Sequence, residues 1–564
     1  MTQGVTTVTD TLATTPEPAV LPAEQAPDQL GTVGNDDTTL VREYAEAVFR
    51  RNRVPMEPIA FEIDWVDQPS RHKTYLGVTR LPLPPAGTAG PAGVLLDRSA
   101  EVPRADWDLG KLATLLRLSY GVLDRRMKVN WNQDADKRTH LPAATWGRGT
   151  ASGGGMYPIE LYVVSGAGGP LLPGVYHYAT AHHELERLVA GDLTAQVRAA
   201  TGQDGDLFLL AAVRFWKNSF KYNSFCYHVV TQDAGALAGS LDAVVRAMGH
   251  RADRALWFDE QALDRLLGLD TATESVLAVL PLRQDATPAA TEPPAGEPPT
   301  VDHQAFERST RLLRFPLVDK VHAASMVGAA PRPATALAGP RPAAELAADS
   351  VELPAPLTEP FAGDLAGVLR TRRSSFGGFT SAPPLGLDQL ATLLASGATG
   401  AAIGSDIKPA GDRLTRLFVL ANRVDGLAGG GYAYDPDGHR LHRVLDPNEP
   451  TGALLQRHYL LTNYNTEQAA AVIAISGRLE EMLAGFGNRG YRMLNSEVGA
   501  VAQTCYLAAT ALGVGCGAVL GLDNVALDDL LGIGPEHGDD ERTLLFLLVG
   551  PERSDPADVD LRLE

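Results

Sequence analysis

The stretch Gly174-Val-Tyr-His-Tyr178, followed by His183-Glu-Leu-Glu-Arg187, returns in the second half of the chain as Gly430-Gly-Tyr-Ala-Tyr434 and His439-Arg-Leu-His-Arg443. Other matches keep the same order. Gly235-Ala…Gly249 pairs with Gly499-Ala…Gly513, and Asp259-Glu-Gln-Ala-Leu-Asp-Arg-Leu-Leu-Gly268 with Asp523-Asn-Val-Ala-Leu-Asp-Asp-Leu-Leu-Gly532, both at one and the same spacing. Nearer the front, Lys111-Leu-Ala-Thr-Leu-Leu116 matches Gln389-Leu-Ala-Thr-Leu-Leu394. Ordered matches at nearly constant spacing are the mark of a duplicated unit with insertions and deletions. Within each copy, short apolar runs (Leu161–Val164, Leu207–Val213, Val472–Ile475, Leu544–Val549) read as buried strands. The Ala-rich segments 235–249 and 499–513 end in glycine, as buried helices do. The expected class is α+β: a sheet packed against a long central helix, twice.

The chain has 564 residues, which at about 100–200 residues per domain implies two to four domains. Residues 1–40 are rich in Thr, Pro, Ala and acids and are expected to be a disordered tail. Copy 1 spans 41–283 and copy 2 spans 358–564, with a Pro/Ala-rich, loosely structured linker region over 284–357. The formal charge of −19 argues against a nucleic-acid partner, which needs clustered Lys and Arg. The cysteines Cys226, Cys505 and Cys516 form no CxxC pair, so neither a disulfide framework nor a zinc site is expected. With no basic-then-apolar leader and no run of about 18 apolar residues, the expectation is a cytoplasmic protein with no membrane span.

Four motifs carry candidate chemistry. Arg372-Arg373-Ser374-Ser375 offers guanidiniums and hydroxyls that can grip a phosphate through charge-assisted hydrogen bonds; a solvated basic corner is the plain alternative. Copy 1 keeps only Arg98-Ser99. Arg148-Gly-Thr-Ala-Ser152-Gly153-Gly154-Gly155-Met-Tyr-Pro-Ile-Glu160 is a glycine-rich turn running into a strand. Its glycines let backbone approach a planar ligand, and Ser152 adds a hydroxyl. It lacks the Gly-Lys-Ser/Thr ending of a phosphate P-loop, and copy 2 aligns Lys408 with Ser152. Phe220-Lys221-Tyr222-Asn223 precedes the central helix, where copy 2 reads Gly485-Phe486-Gly487. A lysine, at about 10.4 ordinarily, needs a lowered pKa to act as a base near neutrality. Val519-Leu520-Gly521-Leu522-Asp523 follows the second central helix, and Gly521 would present a backbone N–H at close range. Copy 1 has Trp257 there. The histidines are scattered, so no metal site is expected, and no Gly-x-Ser-x-Gly elbow occurs.

Together these motifs resemble the nitroreductase-like flavoproteins, in particular the SagB-type azoline dehydrogenases that act on ribosomally made peptides. In copy 1 the resemblance rests on Arg148…Ser152-Gly-Gly…Tyr157-Pro-Ile-Glu-Leu-Tyr162, Gly174-Val-Tyr-His-Tyr178 and Lys221-Tyr222. In copy 2 it rests on Arg372-Arg-Ser-Ser375, Gly499-Ala-Val-Ala-Gln503 and Leu520-Gly-Leu-Asp523. The resemblance implies an α+β nitroreductase-like fold, duplicated within one chain as an intramolecular pseudo-dimer and so able to remain a monomer, with FMN at the interface. Arg372, Ser374, Leu520 and Gly521 of one copy and Ser152, Gly153 and Gly154 of the other would hold the cofactor. The family's phosphate motif has a further basic residue where Phe376 and Gly377 stand here, and Arg373 or Arg553 would substitute for it. The reciprocal set has Trp257 for glycine and Lys408 for serine, which implies one working site and one lost.

The function so implied is oxidation of thiazoline or oxazoline rings in a precursor peptide to thiazoles or oxazoles, with dioxygen as final acceptor. Lys221 would be the base and Tyr222 its partner, and a cyclodehydratase complex would supply the azoline. Two alternatives stay open: an NAD(P)H-dependent flavin reductase of a dehydroamino acid or nitro compound, and a non-catalytic scaffold of a peptide-modifying complex.

Overall fold

The computed structural model describes residues 35–98, 106–128, 145–251, 253–282, 299–335, 337, 339–375, 377–461, 464–553 and 558–562. The expected tail over 1–34, most of the first Pro/Ala stretch, Ser99 and Phe376 lie outside the described residues.

In chain order the strands of the first half are β1 (Thr79–Pro82), β2 (Val122–Lys128), β3 (Thr145–Arg148), β4 (Ile159–Ser165), β5 (Gly174–Ala179), β6 (Glu184–Ala190), β7 (Leu207–Arg214) and β8 (Glu274–Pro281). The second half contributes β9 (Ser350–Glu352), β10 (Thr415–Ala421), β11 (Gly430–Asp435), β12 (Arg440–Leu445), β13 (Ala471–Arg478), β14 (Gly515–Val519), β15 (Glu541–Gly550) and β16 (Asp558–Arg562). The helices that position the site are α1 (Thr39–Arg50), α2 (Leu109–Tyr120), α3 (Trp216–Tyr222), α4 (Cys226–Ala247), α5 (Pro316–Ala324), α6 (Leu387–Ala401) and α7 (Gly490–Leu512).

One sheet runs β1-β6-β5-β4-β7-β8 and the other β14-β15-β13-β10-β11-β12-β9, so the order β6-β5-β4-β7-β8 is repeated as β12-β11-β10-β13-β15. All these pairings are antiparallel. Antiparallel strands usually alternate apolar and polar residues, but β4, β10 and β15 are buried along their whole length. Both faces are covered, which favours uninterrupted apolar runs. A core cluster running through both halves takes one face, and separate clusters around Phe208 and Phe258, and around Phe418 and Phe546, take the other. Helices α4 and α7 pack against each other at the centre and are buried on nearly every side, polar residues such as His228, Asp233, Arg492 and Glu497 included.

The repetition extends to irregularities. The β7–β8 register shifts between Ala211 and Ala212, and the β13–β15 register shifts at the corresponding place in the second sheet, between Ile475 and Ser476. Tyr178 Oη meets His183 Nδ1 at 2.8 Å while His183 Nε2 meets Pro84 O at 3.0 Å. Tyr434, His439 and Pro354 repeat this at 2.9 and 2.9 Å. Nε2 must donate to a carbonyl, so in the neutral ring Nδ1 accepts the tyrosine proton.

Part of the stretch expected to be a loose linker is ordered. Phe315, Val318, Val321 and Ala324 are buried, and α5 packs against α1 and α4. Their regular spacing makes a helical stripe, hidden by the Pro/Ala-rich composition on either side. Strand β16 crosses to the first half and pairs with β2, Asp558 opposite Lys128, in a small sheet with β3. Among the described residues no helix is long and apolar enough to cross a membrane.

Candidate active site

A cavity of about 490 Å³ lies where the halves meet, within the roughly 300–1,000 Å³ typical of ligand pockets. The first half contributes Ala151 to Gly155, Lys221, Tyr222 and Asp233; the second contributes Ser374, Ser375, Tyr506 and the run Gly517 to Gly521. Two motifs from each half thus converge.

The turn after β3 is held from below. Arg148 sits between the rings of Tyr120 and Tyr157, 4.6 and 4.5 Å from their centroids. Ser152 Oγ donates to Asp233 Oδ2 at 2.7 Å and accepts from the Tyr157 amide at 2.9 Å. The Gly153 amide donates to Asp233 Oδ1 at 2.8 Å. At Gly154 φ is +62°, and a Cβ there would lie 2.6 Å from Tyr222 Oη and 2.8 Å from Lys221 Nζ. The positive φ favours glycine there, and a side chain would also displace the ends of Lys221 and Tyr222.

Lys221 and Tyr222 end α3, and the Lys221 ammonium lies 5.3 Å from the Tyr222 ring centroid. Partial burial lowers the Lys221 pKa below its ordinary value. Burial raises that of the Tyr222 phenol, and the nearby Asp233 and Tyr464 add to it. Burial likewise pushes Asp233 up to about 7.

On the facing wall, Ser374 Oγ donates to Tyr506 Oη at 3.2 Å, which also accepts from the Ala518 amide at 2.6 Å. Arg372 is buried just behind, its guanidinium 5.5 Å from the Tyr506 ring centroid. One nitrogen donates to Arg148 O at 3.2 Å, while Nε and Nη1 have no partner among the described residues. Arg373 instead pairs with Glu552 at 3.5 Å. Arg553 is exposed, and none of Arg372, Arg373 and Arg553 is among the residues lining the cavity. The Leu520 carbonyl accepts from the Arg51 guanidinium. Gly521 makes room for protein rather than only for a ligand: a Cβ would lie 2.6 Å from Tyr459 and 2.8 Å from Leu461.

The motifs did not point to Asp233, to Arg51 and Asn52 beyond α1, or to Tyr459, Leu461 and Tyr464, all of which line the cavity. For Asp233 there was a signal: an acid in a largely apolar helix whose aligned position in the second half, Glu497, is also an acid.

The residues expected to spoil a second site are in closed environments. Lys408 Nζ pairs with Glu497 at 2.9 Å and both are buried. The Trp257 indole donates to Ala330 O at 2.8 Å, and Arg98 pairs with Asp242 at 2.7 Å.

Residues 369–550 match the Nitroreductase family. A candidate nitroreductase of Methanocaldococcus jannaschii is 34% identical over 102 residues, which are 18% of this chain and 48% of that protein. The chain thus spans about half the length of the curated relative it matches. The crystal structure of a candidate nitroreductase from Anabaena variabilis ATCC 29413 superposes with a TM-score of 0.68 at 23% identity, covering 91% of this chain and 99% of that one. That likeness shows a nitroreductase-type mixed α/β fold over nearly the whole length. A candidate nitroreductase from Exiguobacterium sibiricum 255-15, solved in complex with FMN, is 15% identical with a TM-score of 0.25, covering 34% of this chain and 90% of that chain.

Proposed function

We propose that this chain is an FMN-dependent oxidoreductase that dehydrogenates thiazoline or oxazoline rings of a ribosomally made peptide to thiazoles or oxazoles. The observation that carries the reading is the shared cavity, in which the Ser152 turn and Lys221-Tyr222 face Ser374 and Leu520-Gly521. The family match over 369–550 supports oxidoreductase chemistry and FMN as the cofactor. On this reading the chain is a duplicated domain, with copies over 41–283 and 358–564 forming an internal pseudo-dimer with one open site. The contacts repeated at matching positions of the two copies support it.

The residues present fit FMN. Arg372 lies behind the cavity wall that Ser374 lines and keeps two buried nitrogens without a hydrogen-bond partner among the described residues, unused donors that suit an anion such as a phosphate. Gly153, Gly154 and Gly517 keep the walls free of side chains. Arg372 and Ser374 would hold the phosphate, and the Ser152 turn and Leu520-Gly521 would flank the ring. Bound FMN supplies the two-electron redox chemistry, with dioxygen as the final acceptor.

The chain's own task is then to orient the azoline and move one proton. Burial alone shifts Lys221, with no carboxylate opposing it, and favours its neutral form. Lys221 takes a proton from one of two adjacent azoline ring carbons, and the hydrogen on the other would leave with its electron pair to the cofactor as the ring double bond forms. Tyr222 Oη stays protonated and hydrogen-bonds the substrate or the lysine. Tyr459, Leu461 and Tyr464 line the cavity with apolar and aromatic surface. The azoline-bearing peptide would come from a cyclodehydratase.

The test is Lys221→Ala with an azoline peptide. The variant should retain FMN, read from its absorption spectrum, and lose turnover by at least about a hundredfold, the usual contribution of a general base. Unchanged turnover would remove Lys221 from the chemistry.

A further inference from the structure

We infer that Asp233 is a positioning residue that sets the hydrogen-bond polarity of the Ser152 turn, so that the turn accepts from, and does not donate to, the ligand in the cavity. The inference rests on the flavin reading for the identity of that ligand, and it makes the ligand edge at Ser152 one that carries an N–H. A serine hydroxyl has one proton and two lone pairs. The proton goes to Asp233 Oδ2 at 2.7 Å and one lone pair to the Tyr157 amide at 2.9 Å. One lone pair is left. The second Asp233 oxygen takes the Gly153 amide at 2.8 Å, so a single carboxylate organises both residues.

The other half of the chain supplies the contrast. Glu497, the counterpart of Asp233 in the second copy, holds the backbone of Leu414 and Thr415 at 2.7 and 2.9 Å, but there a cation joins it: Lys408 pairs with it at 2.9 Å. Asp233 has no such partner among the described residues. The titratable groups that feel it are Tyr222 on α3, Tyr120 at the end of α2, and Cys226 two turns earlier on α4. From α7, uncharged Gly499 and Gln503 share the cavity wall. The tyrosines and the cysteine are neutral at pH 7, and Lys221 forms no ion pair with Asp233. Burial without a cation therefore raises the Asp233 pKa from 3.8 to about 7. The folded chain holds a proton that the unfolded chain releases, so stability falls as pH rises between the unfolded value, about 3.9, and the folded one. Ionisation above that window completes the two-bond clamp.

Thermal unfolding without added ligand, at pH 5 and pH 8, and FMN dissociation constants at pH 6 and pH 8 test this on the full chain and Asp233→Asn. The unaltered chain should lose Tm relative to the variant as pH rises. At pH 8 the variant should bind FMN about tenfold more weakly, the scale of one lost hydrogen bond, with the gap narrowing at pH 6. Titration of the FMN phosphate is common to both chains and cancels in the ratio. Parallel Tm curves, or equal FMN affinity at pH 8, would overturn the inference. A Tm slope in a chain that binds no FMN at either pH would instead overturn the flavin reading and support the hold of Asp233 on the turn. Should Asp233→Asn not fold, Ser152→Ala serves in its place. Removing that donor raises the carboxyl pKa further, so the fall in Tm should extend to higher pH, and an unchanged slope would count against the inference.

Discussion

Gly235 and Gly499 are packed reciprocally across the centre of the molecule. A Cβ on Gly235 would lie 2.0 Å from the Ser496 carbonyl oxygen, and one on Gly499 would lie 1.9 Å from that of Gln232. Each obstacle is backbone and sits three residues before the opposite glycine, so α4 and α7 approach through matching notches. Gly235→Ala and Gly499→Ala should each destabilise the chain by about 1–3 kcal/mol or more, the cost of overpacking where backbone must move. Gly239→Ala should cost less, since its nearest atom would be 3.1 Å away. Denaturant unfolding of the three variants checks the ranking; equal midpoints would show that the helices separate freely.

The three arginines read as phosphate candidates should separate in a binding assay. Arg372→Met should weaken FMN binding by about ten- to a hundredfold, in line with roughly 1.5–3 kcal/mol for a hydrogen bond to a charged group. Arg373→Ala and Arg553→Ala should change it little, because one pairs with Glu552 and the other is exposed. Fluorescence titration with FMN distinguishes them, and a loss in Arg373→Ala equal to that in Arg372→Met would move the anion site outward.

Much of the architecture was legible because strand and helix cores carry strong local patterns. Leu207–Val213 and Leu544–Val549 read as buried strands, and they lie in β7 and β15. The common spacing of the repeated motifs aligned Gly235 with Gly499 before any contact between them was visible. Of the proposed site, Ser152, Lys221 and Gly521 announced themselves by glycine or by difference between the aligned halves. Asp233 did not, because a single acid in an apolar helix has the same local pattern whether it faces a cavity or a structural partner. Arg51 and Tyr459 could not be read either: they reach the cavity through tertiary packing, and no spacing rule links Arg51 to the Leu520 carbonyl across the chain. Helix α5 was hidden by its Pro/Ala-rich flanks.

Lys408 and Glu497 form a buried pair. Removing one member of such a pair costs about 3–5 kcal/mol, since the other charge stays buried. Lys408→Ser should therefore destabilise the chain strongly. It should not raise the FMN content above one per chain, because the Trp257 and Arg98 contacts still fill the equivalent region. The double variant Lys408→Ser/Glu497→Gln should recover part of the lost stability. Denaturant unfolding and flavin counting read both; two FMN per chain in the single variant would mean that Lys408 alone closes the second site.

The proposed base gives a pH signature with a definite sign. Lys221 must be neutral to take a proton, and burial lowers its pKa below the ordinary value of 10.5 without a carboxylate to oppose the shift. Activity on an azoline peptide should rise with pH and level off as Lys221 deprotonates, with its midpoint below about 10.4. Asp233, near 7, ionises in the lower part of the same range, so the rise should have two steps in the unaltered chain and keep only the upper one in Asp233→Asn. Tyr222 contributes no falling limb below pH 10, because burial moves its phenol upward. Replacing Lys221 by arginine, protonated throughout with a pKa above about 12, should abolish the upper step. The profile of kcat/KM from pH 6 to pH 10 reads all of this at once, and an unchanged upper step in Lys221→Arg would assign the proton transfer to another group.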